Sequence, residues 1–247
     1  LSGMATANVL LPSLVKRHFP DHVGRMTAVY TTSMAIGLTT SSVTTVPVAA
    51  QFATEGWRVG LAVWALVALI AVLPWLLLAR EGSEPHQAGA QQAIRLRDVA
   101  RTRLGWAMAA FFGLQSLQAY AVFGWFAQVY RDAGFTPGVA GLLLGLITAI
   151  AIPFSFWVPS YAARIPSPRP LLVALMVCYP IGYLGLMFAP VAGAVLWAIV
   201  VGVATSVFPL TLALIGLRAR TSEGTAALSG FTQSVGYGIA VIGPFGV

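Results

Sequence analysis

The sequence predicts an all-α polytopic membrane protein, and three observations carry that expectation. Of its 247 residues, 58% are hydrophobic and only 9% are charged, with a mean hydropathy of +0.83. A water-facing surface normally needs about 25% charged residues. The charges are also clustered: none interrupts the chain from Met26 up to Glu55, from Val59 to Ala79, from Leu104 to Tyr130, from Ala133 to Ala163, or from Pro170 to Leu217. These runs do not alternate apolar and polar residues as barrel strands would, so they are helices. Finally, the basic residues alternate between successive connections, as crossings of a membrane require.

A membrane helix needs about 20 apolar residues. That length divides the chain into eight spans, designated a to h: residues 1–15, 26–52, 59–79, 105–130, 137–163, 170–189, 194–217 and 225–247. The uncharged stretch from Pro170 to Leu217 is too long for one crossing and suits two, with the break at Ala189-Pro190-Val191-Ala192-Gly193, where Pro and Gly supply a turn. Lys16, Arg17 and Arg25 lie in the a–b connection. Arg80, Arg95, Arg97, Arg101 and Arg103 lie in c–d, Arg164 and Arg169 in e–f, and Arg218 and Arg220 in g–h. The alternate connections hold only Arg58 and Arg131, each near an acid (Glu55, Asp132). The positive-inside rule makes the basic side cytoplasmic. The net charge of +7 thus reflects topology, and no nucleic-acid partner is expected.

An internal repeat organises the spans. At one constant offset, Tyr30 in span b meets Phe231 in span h, Thr31 meets Thr232, Ser33 meets Ser234 and Gly37 meets Gly238. Each preceding helix carries a Pro (Pro12, Pro209) and ends in a short basic turn. If a–b corresponds to g–h, three spans are expected ahead of span a and one after span h. The parent would then have six spans plus six, the long polar c–d segment joining two parallel halves. Residues 1–79 would be the remnant of the first bundle, 80–104 a cytoplasmic linker, and 105–247 the second bundle without its last helix.

The segment NVLLPSLVKRHFPDHVGRMTAVYTTSMAIG resembles the fourth and fifth helices of the cyanate/nitroimidazole transporter family within the major facilitator superfamily. VFPLTLALIGLRARTSEGTAALSGFTQSVGYGIAVIGP resembles its tenth and eleventh helices, and WRVGLAVWALVALIA its sixth. The resemblance implies a major facilitator fold of which about eight of twelve helices are present, the fourth to the eleventh. It also implies a single-polypeptide carrier of the bacterial inner membrane, multi-pass and monomeric, working by alternating access. One departure stands out. The superfamily's Gly-x-x-x-Asp-Arg-x-Gly-like signature should echo in VPSYAARIPSPR, where Arg164 fits the basic position but Ala163 replaces the Asp.

Polar residues inside spans are the candidates for chemistry, because each is costly in lipid. In span d, Gln115, Gln118, Val122 and Trp125 fall within one narrow stripe at about 100° per residue. Two amides and an indole suit a small planar polar solute or an anion, although interhelical hydrogen bonding explains them equally well; the resemblance favours the cavity. Span h repeats the pattern with Ser229, Thr232, Gln233 and Tyr237, and span a contributes one amide, Asn8. The expected substrate cavity therefore comprises Asn8, Gln115, Gln118, Trp125, Gln233 and Tyr237. The many hydroxyls of span b are expected to bond back to their own helix. Tyr30 is read as an interfacial anchor ahead of a gate residue.

His18 and His22, with Asp21, have the spacing of a ligand pair, but Pro20 breaks the helix between them and no further ligand is near. No His, Asp, Glu or Lys lies within a span. No metal, cofactor or enzymatic activity is expected, since Ser229 has no membrane-embedded base. The lone Cys178 is a small core residue. A coupling proton, if one is used, would titrate a residue outside these spans. The function expected is secondary transport of a small polar or anionic solute across the lipid bilayer. Multidrug efflux and a non-transporting receptor or scaffold are the alternatives, and the short loops disfavour the last.

Overall fold

The computed structural model describes residues 2–52, 56–81 and 96–242. Its helices are α1 (Ser2–His18), α2 (Val23–Ala50), α3 (Gly56–Glu81), the short α4 (Leu96–Ala100), α5 (Arg103–Asp132), α6 (Pro137–Ala162), α7 (Arg169–Phe188), α8 (Ala194–Ala204), α9 (Val207–Arg218) and α10 (Ser222–Ala240). Spans a to f and h correspond to α1, α2, α3, α5, α6, α7 and α10. Most of the linker expected at 80–104 lies outside the described residues. Among those described, three stretches are long and apolar enough to cross a membrane: Gly138–Ala162, Arg169–Phe188 and Ala194–Arg218.

Helix starts follow local chemistry. Thr102, Thr136 and Thr221 each stand in extended backbone, and each hydroxyl accepts the N–H three residues on, from Gly105 at 3.0 Å, Val139 at 3.4 Å and Gly224 at 3.1 Å. Such a cap satisfies one of the orphan N–H groups of the first turn. The Pro/Gly turn before α8 is closed by Trp197, whose indole N–H donates to the Ala189 carbonyl at 3.0 Å.

Span g differs from the expectation of one continuous helix. It breaks between α8 and α9 at Thr205 and Ser206. Pro209 accounts for the break: it has no N–H, and its ring would collide with the carbonyl four residues earlier, that of Thr205. Phe208 N–H takes that carbonyl instead, at 3.2 Å.

The chain forms two compact units, residues 1–35 with 93–247, and residues 36–92. The smaller unit contains the rest of α2 and α3, and α3 leaves Leu61, Leu66, Leu69, Ile70 and Leu73 exposed. Apolar side chains pointing outward along a helix suit a lipid surrounding. In the larger unit α5 packs extensively along α10. Phe112, Leu210, Leu212 and Ile215 fill one core, and Val122, Tyr130, Ile147 and Val201 fill a second among α5, α6 and α8. At the α5–α10 crossing Gly113 faces Gly236. A Cβ built on Gly236 would lie 3.1 Å from the Gly113 nitrogen and 3.2 Å from the Ala109 carbonyl oxygen. Small residues let two backbones meet in this way inside a membrane.

Candidate substrate site

The sharpest polar cluster lies where α1 meets α10. Gln233 is 1% exposed. Its side-chain Nε2 donates to the backbone carbonyl of Asn8 at 3.1 Å and to Ser229 Oγ at 2.9 Å. Ser229 in turn donates to the Val9 carbonyl at 2.8 Å. Ser229 and Gln233 share a face because they are four apart on one helix. Gln233 Oε1 is sealed from solvent and has no hydrogen-bond partner among the described residues. One turn further along α10, the Tyr237 hydroxyl lies beside the Asn8 side chain. Its ring meets Phe112 edge to face at 5.1 Å.

The structure thus brings Asn8, Gln233 and Tyr237 together and places the α5 residues differently. Gln115 is buried, and its Nε2 donates to Ser116 Oγ at 2.7 Å. Gln118 Oε1 accepts from the Tyr183 hydroxyl of α7 at 2.6 Å. Trp125 keeps 37% of its surface open. Gln118 is therefore engaged in a bond between helices, and Tyr183, its partner, was not singled out from the sequence. The available signal was a phenol in an uncharged run, since a buried Tyr hydroxyl usually finds a partner.

Among the described hydroxyls of α2, those of Thr31, Ser33, Thr40, Ser41 and Thr44 bond back to their own helix, as expected, whereas that of Thr32 is buried without a partner. Ser33 donates to the Val29 carbonyl at 2.9 Å and Thr40 to the Ile36 carbonyl at 2.8 Å. Thr31 does more. Besides the Thr27 carbonyl at 2.8 Å it reaches the Ser155 carbonyl of α6 at 3.2 Å. Near that contact, Gly24 packs against Pro159 and Ala163 at the end of α6. Tyr30 packs against the first core.

Apolar helices joined by neutral amides and hydroxyls define an all-α membrane protein. The chain belongs to the Major Facilitator Superfamily, whose family model matches residues 1–244. It is 36% identical over 250 aligned residues to the "Uncharacterized transporter YycB" of Bacillus subtilis (strain 168), covering 98% of this chain and 60% of the relative. It is 33% identical over 244 residues to the "2-nitroimidazole transporter" of Escherichia coli (strain K12), covering 98% and 61%. To the "Cyanate transport protein CynX" of the same organism it is 28% identical over 246 residues, covering 98% and 62%. The chain therefore spans about three fifths of the length of these curated relatives. Its fold is that of the superfamily, and its family and relatives are transporters.

Proposed function

We propose that the protein is a secondary active transporter that moves a small polar or anionic solute, of the cyanate or nitroimidazole type, across the bacterial inner membrane by alternating access. The names of two relatives support that substrate class. The observation that carries the reading is the Gln233–Asn8 bond. In the six-plus-six arrangement read from the internal repeat, α1 and α9 are equivalent helices of the two halves, and α10 follows α9. A polar bond from α1 to α10 then crosses the seam that alternating access must open and close. Asn8, Gln233 and Tyr237 border the solute path at this seam, with Gln115, Gln118 and Trp125 on the adjoining α5. The carrier acts as a monomer, and any coupling proton is held outside the spans present here.

The test is solute flux in vesicles containing the protein expressed from its full reading frame. Labelled 2-nitroimidazole or cyanate should exchange across the membrane, and Gln233→Leu should slow 2-nitroimidazole exchange severalfold at equal protein level. Flux of neither solute above that of empty vesicles would remove the reading.

A second reading, efflux of larger aromatic compounds, draws on the outer face of α6. An open apolar depression lies there, lined by Pro153, Phe154 and Trp157, with Trp157 stacked on Tyr161 at 4.8 Å. Flux of bulky aromatic cations in the same vesicles, with none of the small solutes, would favour it.

A further inference from the structure

We propose that Gln233 selects for a neutral solute that carries an N–H or O–H donor, and against a simple anion; this rests on the transport reading above. The argument begins with the orientation of its amide. The Asn8 backbone carbonyl can only accept a hydrogen bond, so the group facing it at 3.1 Å is the NH₂ end. Ser229 gives the same answer. Its hydroxyl proton is directed to the Val9 carbonyl at 2.8 Å, so its oxygen is left to accept from Gln233 at 2.9 Å. The donor end of the amide is therefore occupied, and the carbonyl end, Oε1, is buried with no partner among the described residues.

An acceptor left unmatched in a buried site is unfavourable, and buried polar groups in folded proteins are nearly all satisfied. The group that would satisfy this one is a donor. An anion would meet the negative end of the amide dipole and gain nothing there.

The orientation also survives the opening of the seam. If α1 withdraws from α10, the Asn8 bond is lost. Ser229 is on α10 itself, four residues before Gln233, and stays in place. Its hydroxyl can turn to a carbonyl of its own helix, as serines in helices commonly do, and continue to accept from Nε2. Oε1 is then the free end that faces an entering solute. Thr232, the preceding residue, also has a buried hydroxyl without a partner, and a hydroxyl can serve either sense of hydrogen bond.

The experiment compares 2-nitroimidazole with its N-methylated analogue, which keeps the ring and nitro group and lacks the N–H. Both are assayed at a pH where the parent azole is neutral, with cyanate as the donor-free anion. Flux is measured in vesicles holding the protein expressed from its full reading frame. The expected result is a preference of about fivefold or more for the N–H azole, the scale of one lost hydrogen bond, and no preference in Gln233→Leu. Gln233→Met, an unbranched side chain of similar length, should behave as the Leu variant does, which separates a lost acceptor from a packing defect. Equal flux of the two azoles in the unmodified protein, or flux of cyanate alone, would overturn the selection by Gln233 while leaving transport intact. A preference that persists unchanged in both variants would also overturn it, by assigning the donor contact to another residue. Flux of none of the three would remove the transport reading itself.

Discussion

Substituting Gly113 by Ala should destabilise the protein, and the geometry of the α5–α10 crossing sets the size of the effect. An added Cβ would sit 2.8 Å from Ile239 Cβ and 3.0 Å from the Gly236 carbonyl oxygen. Unstrained carbon contacts lie at about 3.5–4.0 Å. Neither neighbour is the loose end of a side chain, so the helices themselves must part, roughly by half an ångström or more. Overpacking of this kind costs about 1–3 kcal/mol. The opposing gain from replacing Gly by Ala in a helix is at most about 1 kcal/mol. Gly124, on the same helix, has open space where its Cβ would stand, so Gly124→Ala carries the gain without the clash. The two variants should therefore differ by about 1–3 kcal/mol, or roughly 2–12 °C in apparent Tm for a chain of this size. Thermal aggregation of the detergent-purified protein, read by size-exclusion fluorescence, resolves that interval. Equal melting of Gly113→Ala and Gly124→Ala would refute the close backbone approach.

Three further outcomes follow from other contacts. In a Cys178→Ala background, single cysteines at Asp21, Ser167 and Ala219 should react with an impermeant thiol reagent only from the cytoplasmic side; labelling of any of them from outside intact cells would contradict the topology read from the charges. Gln118→Leu and Tyr183→Phe should each lower stability, with a coupling of about 0.5–1.5 kcal/mol in a double-mutant cycle because they share one bond; additive effects would dissolve that bond, and transport per folded molecule unchanged in Gln118→Leu would take Gln118 off the solute path. Trp197→Phe removes the indole donor from the Ala189 carbonyl and should lower apparent Tm by about 1–6 °C; an unchanged Tm would mean that the turn before α8 holds without it.

The helices were legible because two signals, apolar length and clustered charge, mark nearly the same boundaries, and neither depends on how helices pack. Polar residues were legible as candidates for the same reason: a Gln or Asn inside an apolar run needs a partner wherever it points. Their partners were not legible. Gln118 and Gln115 share a stripe on α5, but which neighbour each meets depends on the rotation of α7 and α10, which helical periodicity within α5 does not encode. Gln118 found a phenol on α7, and Gln115 a serine on its own helix. The break in span g was missed although Pro209 was noticed, because the residue it disturbs, Thr205, lies four positions back and carries no mark of its own.

The absence of fixed charge within the spans of this chain bears on what such a seam can recognise. No Asp, Glu, His, Lys or Arg lies in any of the eight runs, so recognition along them falls to amide and hydroxyl dipoles. An ion entering a low-dielectric path gives up far more hydration than a neutral polar solute does, and dipoles alone recover less of it than an opposite charge would. A neutral planar donor loses only a few hydrogen bonds to water, one of which the unpaired Gln233 carbonyl can replace. The same dipoles can also serve the closed seam: Ser229 and Gln233 bond to the α1 backbone when it is near. Were α1 to leave, as the proposed alternating access requires, these groups would be neutral and incur a small desolvation cost, so the two states would remain close in free energy. A carrier needs that near-balance, because parting a buried ion pair would leave two charges to be solvated separately.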